Sequence, residues 1–381
     1  MEQIPYNKPF LCGNEIKYIR DAVKSGKISG NGAFTQKCQR YFEDKYGFGK
    51  CLMTSSCTDA LEMAAILSGV GAGDEVIIPS YTFVSTALAF ARQNATIVFA
   101  DSRADNPNID ETQIESLITP RTKVIVAVHY AGFCCDMDKI CAIARKHNLI
   151  LIEDAAQAFD SYYKERPAGS FGAMATFSFH ETKNIISGEG GMLAINDPKL
   201  YSRAEIIWEK GTNRADFSRG KVSKYQWVDI GSSFLPSELI SAFLYAQIEK
   251  SGQIQLKRIK LWNLYYKLLK PLEDKGYISL PQHSADTPGN GHIFYIVCKN
   301  LKQRKKIADY LGEKSILAVS HYLGLHKSPY FKEYYTGKPL KNCDRYEDCL
   351  LRLPLFYELR LEDVKYICKT LEDILDYLNV K

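Results

Sequence analysis

The chain has 381 residues, 46% of them hydrophobic and 24% charged, with a formal net charge of +5. That length suits one large domain and a smaller one, and so small a charge, with Lys and Arg interspersed among Asp and Glu, argues against nucleic acid as a partner. The longest apolar runs, such as 124–128, are far too short for membrane insertion, and eleven scattered cysteines without a leader-like segment predict reduced thiols in the cytoplasm and no metal site.

The first chemical signal is the run 54–61, Thr-Ser-Ser-Cys-Thr-Asp-Ala-Leu, a hydroxyl-rich turn leading into an apolar helix predicted over 60–67. Unpaired backbone N–H groups and the helix dipole at such a turn attract a phosphate, with Cys57 and Thr58 as the nearest contacts, although a plain Ser/Thr cap has the same pattern. Strands follow at 75–79, 96–101, 123–128 and 149–154, and helices at 86–92, 112–118 and 137–147 alternate with them. Alternation of this kind predicts an α/β fold with a largely parallel sheet, helices on both faces, and ligands at the carboxyl ends of the strands. Beyond residue 235 the pattern changes to long helices at 238–250 and 255–275, an exposed loop at 282–291, a strand at 292–298 and helices at 302–311 and 361–378. A large domain over 1–240 and a smaller C-terminal α/β domain over 241–381 are expected.

Two residues give this frame a chemistry. Asp154 ends the apolar strand 149–154, and Lys183 stands downstream in Ser178-Phe179-His180-Glu181-Thr182-Lys183-Asn184. A buried carboxylate raises the pKa of a pyridine nitrogen, and a partly buried lysine beside another cation loses its proton readily enough to condense with an aldehyde. Together they match the needs of pyridoxal 5'-phosphate, with Lys183 as both anchor and proton-transfer base. Either residue alone reads more simply, as a helix cap or a solvated lysine. Gln157 is placed to hydrogen-bond the ring oxygen of that cofactor and Ser178 its phosphate, while Phe83 or Tyr81, in the run 79–86, offers a flat face for the ring.

Five ordered motifs then carry a resemblance: Ser56-Cys57-Thr58-Asp59-Ala60-Leu61, Pro79-Ser80-Tyr81-Thr82-Phe83-Val84-Ser85-Thr86, Glu153-Asp154-Ala155-Ala156-Gln157, the Lys183 run, and Gly188-Glu189-Gly190-Gly191. The set resembles the DegT/DnrJ/EryC1/StrS sugar aminotransferases over nearly the whole chain. The resemblance implies the aspartate aminotransferase-like fold (fold type I) and a homodimer with active sites at the subunit interface. It also implies that Lys183 and Asp154 are catalytic, and that Cys57, Thr58, Phe83, Gln157 and Ser178 bind cofactor. Where many members place an asparagine that reaches the neighbouring subunit's phosphate, this chain has Ser233, to which the resemblance gives that cofactor contact.

Further motifs, among them Val128-His129-Tyr130-Ala131-Gly132, His321-Tyr322-Leu323-Gly324-Leu325-His326 and Arg352-Leu353-Pro354-Leu355-Phe356-Tyr357, are similar to the branch that forms dTDP-4-amino-4,6-dideoxygalactose. The implied reaction moves an amino group from L-glutamate to C4 of dTDP-4-keto-6-deoxyglucose, for enterobacterial common antigen or the O-antigen of lipopolysaccharide. The glucose-configured product and a non-catalytic cofactor-binding regulator are the alternatives, and Lys183 argues against a dehydratase, which has histidine there. Lys27, Arg214, Arg219 and His326 are candidates for the diphosphate and Tyr322 for the sugar, though each taken singly reads as surface charge or packing.

Overall fold

Strands that are apolar throughout need cover on both faces, and the computed structural model, which describes residues 3–282 and 284–380, provides it. Strands β1 (Lys50–Thr54), β2 (Glu75–Pro79), β3 (Thr96–Ala100), β4 (Thr122–Val128) and β5 (Ile150–Asp154) alternate with helices α1 (Glu15–Lys24), α2 (Ala33–Tyr46), α3 (Cys57–Ser68), α4 (Val84–Ala91), α5 (Glu111–Leu117) and α6 (Met137–Lys146). A two-residue hairpin, β6 (Tyr162–Tyr163) and β7 (Arg166–Pro167), precedes β8 (Met174–Ser178) and β9 (Gly191–Ile195). The main sheet has the order β1-β9-β8-β5-β4-β2-β3, and β9 alone runs against its neighbours. Every residue of β2, β8 and β9 is buried, and separate apolar cores fill the two sides of the sheet.

The single reversed strand has a consequence for function. Because the other six strands share one direction, the chain leaving β1, β2, β4, β5 and β8 emerges along one edge, where ligands bind in open α/β sheets. Across that edge Thr54, Gly191 and Ser178 stand in register, as do Val128, Asp154 and Thr176.

After β9 come α7 (Tyr201–Trp208), α8 (Arg214–Ser218), α9 (Glu238–Glu249) and the long α10 (Ser251–Asp274). Helix α9, assigned from sequence to the C-terminal part, packs against α1 and α2. A two-stranded antiparallel sheet of β10 (Phe294–Val297) and β11 (Leu350–Leu353) follows, with α11 (Leu301–Glu313), α12 (Lys341–Cys349) and the closing α13 (Leu361–Val380). Helix α13 packs on α10 and α11. The expected exposed loop over 282–291 is exposed only in part: Asn290 and Gly291 are buried, and His283 lies outside the described residues. Asn290 holds the carbonyls of Gln157 and Phe159, each at 2.8 Å, so its burial is satisfied and its end of the loop is fixed.

Two polar contacts seat the small sheet region on the carboxyl edge of the large one. Asp101 accepts from the N–H groups of Asn342 (3.1 Å) and Cys343 (2.8 Å) at the start of α12. Ser80, just past β2, bonds Leu325 N through its carbonyl and His326 through its hydroxyl.

Candidate active site

At the carboxyl edge the loops enclose a cleft of about 900 Å³. Its walls contain Cys57, Thr58, Phe83, Asp154, Gln157, Ser178, Lys183 and Tyr322 from the sequence-derived set. They also contain Thr86, His180, Glu189, His292, His321 and Arg352, which that set lacked as site residues.

Helix α3 forms one end of the cleft. Ser56 caps it, its Oγ accepting from Asp59 N at 3.1 Å, which leaves the N–H groups of Cys57 and Thr58 without partners inside the helix and turned to the cleft end. Thr58 Oγ1 and Ser85 Oγ lie 2.8 Å apart beside them, so two hydroxyls and a positive helix end face one spot. Burial, with Asp154 nearby, pushes the Cys57 thiol up, so it remains neutral.

Across the cleft, Asp154 ends β5 with its carboxylate already oriented. Thr86 Oγ1 donates to Oδ2 at 2.6 Å and Ala156 N to Oδ1 at 3.1 Å. Glu153 points to the opposite face of the sheet, as strand periodicity requires. There its oxygens accept from the N–H groups of Gly169, Phe171 and Gly172, each at 2.7 Å, and lie 3.0 Å from His129 Nε2. One strand end thus carries a carboxylate for the site and another that anchors the loop before β8.

Lys183 follows β8 in a turn closed by its N–H on the carbonyl of His180 at 2.8 Å. Burial pushes its ammonium down to about 8; Cys57 and Asp154 oppose that shift and Arg352 adds to it. About a tenth is therefore free amine at pH 7, against well under a thousandth for an ordinary lysine, and the free amine is the form that adds to an aldehyde. Gln157 accepts from Ala131 N at 2.7 Å through Oε1 and donates from Nε2 to Tyr322 OH at 2.9 Å, leaving its second N–H for a ligand. Phe83 is 56% exposed and lines the cleft, whereas Tyr81, the other aromatic considered for the ring, is 1% exposed and belongs to the core.

The small sheet region closes the cleft from the other side with His292, His321, Tyr322 and Arg352. Burial, with Arg352 and Lys183 nearby, holds His321 down at about 2, and burial with Lys183 and Arg258 holds His292 well below its usual range. Both rings are neutral.

Five sequence-derived candidates stand outside these walls. Lys27 is exposed beyond α1, and Ser233 is exposed beside Glu209. Arg214 lies 3.4 Å from Glu209, and Arg219 pairs with Glu205. The diphosphate reading of His326 is corrected. It is 6% exposed, with Nδ1 2.8 Å from Ser80 Oγ and Nε2 3.3 Å from Asp344, so it fastens a loop and faces no ligand space. His326, Cys343 and Asp344 bring ligand-type atoms within 4.8 Å of one another, but Lys327 Nζ already stands 2.5 Å from Asp344 Oδ1 as its cation.

Comparison with known proteins gives this geometry its context. The model of the DegT/DnrJ/EryC1/StrS aminotransferase family matches residues 11–372. GDP-perosamine synthase of Escherichia coli O157:H7 is 31% identical over 374 residues, covering 98% of this chain and 99% of the relative. The spore coat polysaccharide biosynthesis protein SpsC of Bacillus subtilis strain 168 is 31% identical over 380 residues, 97% of each chain. Helicobacter pylori PseC, an aminotransferase involved in the biosynthesis of pseudoaminic acid, superposes with a TM-score of 0.91 at 25% identity, covering 99% of this chain and all of that one. These likenesses bear out the expected fold type I architecture. The chain belongs to the DegT/DnrJ/EryC1/StrS aminotransferase family, and its cofactor is the pyridoxal 5'-phosphate that Lys183, Asp154 and the start of α3 fit.

Proposed function

We propose that the enzyme moves the amino group of L-glutamate to C4 of dTDP-4-keto-6-deoxyglucose, forming dTDP-4-amino-4,6-dideoxygalactose for a cell-surface glycan. The observation that carries the aminotransfer is Lys183, held near pKa 8, in the same cleft as the pre-oriented carboxylate of Asp154. When bound, pyridoxal phosphate supplies the aldehyde that receives the amino group and the ring that withdraws electrons from the reacting carbon. Lys183 Nζ takes and returns the proton. Asp154 keeps a positive charge at the far side of the site, and α3 holds the phosphate. Phe83 and Tyr322 keep water from the reacting face.

The galactose-configured dTDP product rests on the similarity of the motifs around Val128, His321 and Arg352 to that branch. A second reading, with a GDP-linked keto sugar, is favoured by the 31% identity to a GDP-perosamine synthase. We also propose a homodimer in the cytoplasm. Trp227, Val228 and Ile230 are 81%, 51% and 55% exposed on the segment between Arg219 and Ser233, and a second copy covering them brings those two residues and Arg214 toward its own cleft.

Incubation of the holoenzyme with glutamate and either dTDP-4-keto-6-deoxyglucose or a GDP-4-keto-6-deoxy sugar, followed by NMR of the product, tests the proposal. Turnover of the dTDP sugar to an axial C4 amine supports it. An equatorial amine points to the glucose configuration, preference for the GDP sugar to the second reading, and no 2-oxoglutarate with either sugar refutes both.

A further inference from the structure

Behind Lys183 lies a buried polar network that the chemistry above does not use. Asn184 Nδ2 donates to the Asn290 carbonyl at 3.0 Å and to Gln255 Oε1 at 2.7 Å, and Asn184 Oδ1 stands 2.8 Å from His292 Nδ1. A backbone carbonyl only accepts, so the end of the amide facing Asn290 is the nitrogen and the end facing His292 is the oxygen. That oxygen only accepts in its turn, so Nδ1 of His292 carries the hydrogen. The ring is neutral, because burial and then the nearby Lys183, Arg258 and Arg352 hold its pKa well below the usual range. Nε2 therefore carries a lone pair and no hydrogen.

The ring is also locked in place. His292 N donates to Asn290 Oδ1 at 2.9 Å, its carbonyl accepts from Arg258, and Asn290 is itself tied to the carbonyls of Gln157 and Phe159. With Nδ1 turned to Asn184, the edge that reaches the cleft wall beside Lys183 is the one holding Nε2, which has no hydrogen-bond partner among the described residues. A buried acceptor is destabilising unless a donor reaches it. The charged and titratable groups facing the pair narrow the choice of donor. Asp154 is held by Thr86 and Ala156 N, the neutral Cys57 thiol is a weak donor, and Arg258 donates to the carbonyls of Gly291, His292 and Leu355. Arg352 and His321 act on His292 more weakly than Lys183 does. Lys183 Nζ makes no hydrogen bond of its own among the described residues. We infer that His292 Nε2 accepts a hydrogen bond from Lys183 Nζ whenever the lysine is not joined to the cofactor, holding the amine so that its lone pair faces the reacting carbon. His292 is thus a positioning residue that acts through Lys183, and the inference rests on reading Lys183 as the proton-transfer base.

Asparagine and glutamine separate the two ends of the ring, since asparagine places an amide N–H where Nδ1 stands and glutamine a polar atom where Nε2 stands. Both variants are made in the full chain. In the cofactor-free protein, the pH dependence of Lys183 acetylation, mapped by peptide mass spectrometry, reports the pKa of the lysine. In the holoenzyme, the isotope effect with α-deuterated glutamate reports how far proton transfer limits the reaction. For His292→Asn, the acetylation break is expected about one pH unit below the parent's, because the ammonium has lost an acceptor. The isotope effect should rise while the melting temperature stays close to the parent's. His292→Gln is expected to melt several degrees lower, because Asn184 Oδ1 has lost its donor, yet to keep the parent's acetylation break. An unmoved break and isotope effect in His292→Asn, or the same displaced break in both variants, overturns the inference. If neither variant folds, the imidazole nitrogen shifts of the parent decide: an Nε2 signal that moves as Lys183 titrates supports the inference, and one that does not overturns it. If Lys183→Ala still transaminates, the reading of Lys183 fails, while the acetylation break still decides whether His292 holds its amine.

Discussion

Thr86 Oγ1, in the first turn of α4, donates a 2.6 Å hydrogen bond to Asp154 Oδ2 at the end of β5, and Thr82 Oγ1 lies 3.0 Å behind it. The Thr86 hydroxyl, itself held by Thr82 from the loop after β2, therefore fixes the carboxylate that faces the cofactor ring. Thr86→Val keeps the shape and removes the donor, leaving a buried carboxylate oxygen one bond short, at a cost of roughly 1–3 kcal/mol. We expect a melting temperature lower by a few degrees, cofactor retained and kcat reduced roughly tenfold, with Thr86→Ser close to the parent. Unchanged kcat in the valine variant would show that Asp154 does not depend on this bond.

Lys183→Ala is expected to abolish transamination and to leave no borohydride-reducible adduct, because the described cleft walls hold no second primary amine. An adduct mapped to the active site of that variant would contradict the assignment. Asp154→Asn keeps the shape and the acceptor for Ala156 N, with the Thr86 hydroxyl turning to accept from the new amide, but removes the charge, so cofactor should stay bound while kcat falls by several orders of magnitude.

The lowered pKa of Lys183 gives a pH dependence with a definite sign. In the cofactor-free protein the amine is free above about 8 and protonated below it, so the rate of capture of pyridoxal phosphate should rise through pH 8 and level off. A rate still climbing with slope one beyond pH 10 would mean an ordinary lysine. The unfolded chain holds this proton to about 10.5, so between 8 and 10.5 it binds more protons than the folded chain. Lys183 therefore makes the cofactor-free protein gain stability as pH rises through that window.

The strands legible in the sequence were β2 to β5, each built on a run of Val, Ile or Leu; β2, β4 and β5 are largely buried, while β3, at the edge of the sheet, is exposed at Thr96. Strands β1, β8 and β9, with sequences KCLMT, MATFS and GMLAI, are equally buried, but Met, Ala and Cys mark no period and no β-branched excess, and only pairing with distant partners makes them strands. The same divide runs through the site. Asp154, Gln157, Ser178 and Lys183 lie at the ends of β5 and β8 in short motifs, and sequence reasoning reached them. His292, His321 and Arg352 come from a region more than a hundred residues further on and enter the cleft through tertiary packing alone. A charged residue in the apolar run Leu350–Leu353 was the one local sign that Arg352 faces something other than a core.

Gly191 tests how tightly the phosphate end is built. A Cβ there would stand 2.4 Å from Cys57 N and from the Ser56 carbonyl, so β9 passes the start of α3 only because this residue has no side chain. Gly191→Ala must displace the first turn of α3, whose N–H groups face the phosphate, and overpacking of this kind costs about 1–3 kcal/mol. We expect pyridoxal phosphate to bind roughly tenfold or more weakly, measured as its Kd with the cofactor-free protein, alongside a lower melting temperature. Gly252→Ala in α10, where a Cβ meets nothing within 4 Å, is the matched control and should leave Kd unchanged while raising stability by a few tenths of a kcal/mol to about 1 kcal/mol. If Gly191→Ala loses stability but binds cofactor as tightly as the control, the start of α3 is not what holds the phosphate, and the positive end of that helix would have to be assigned a different partner.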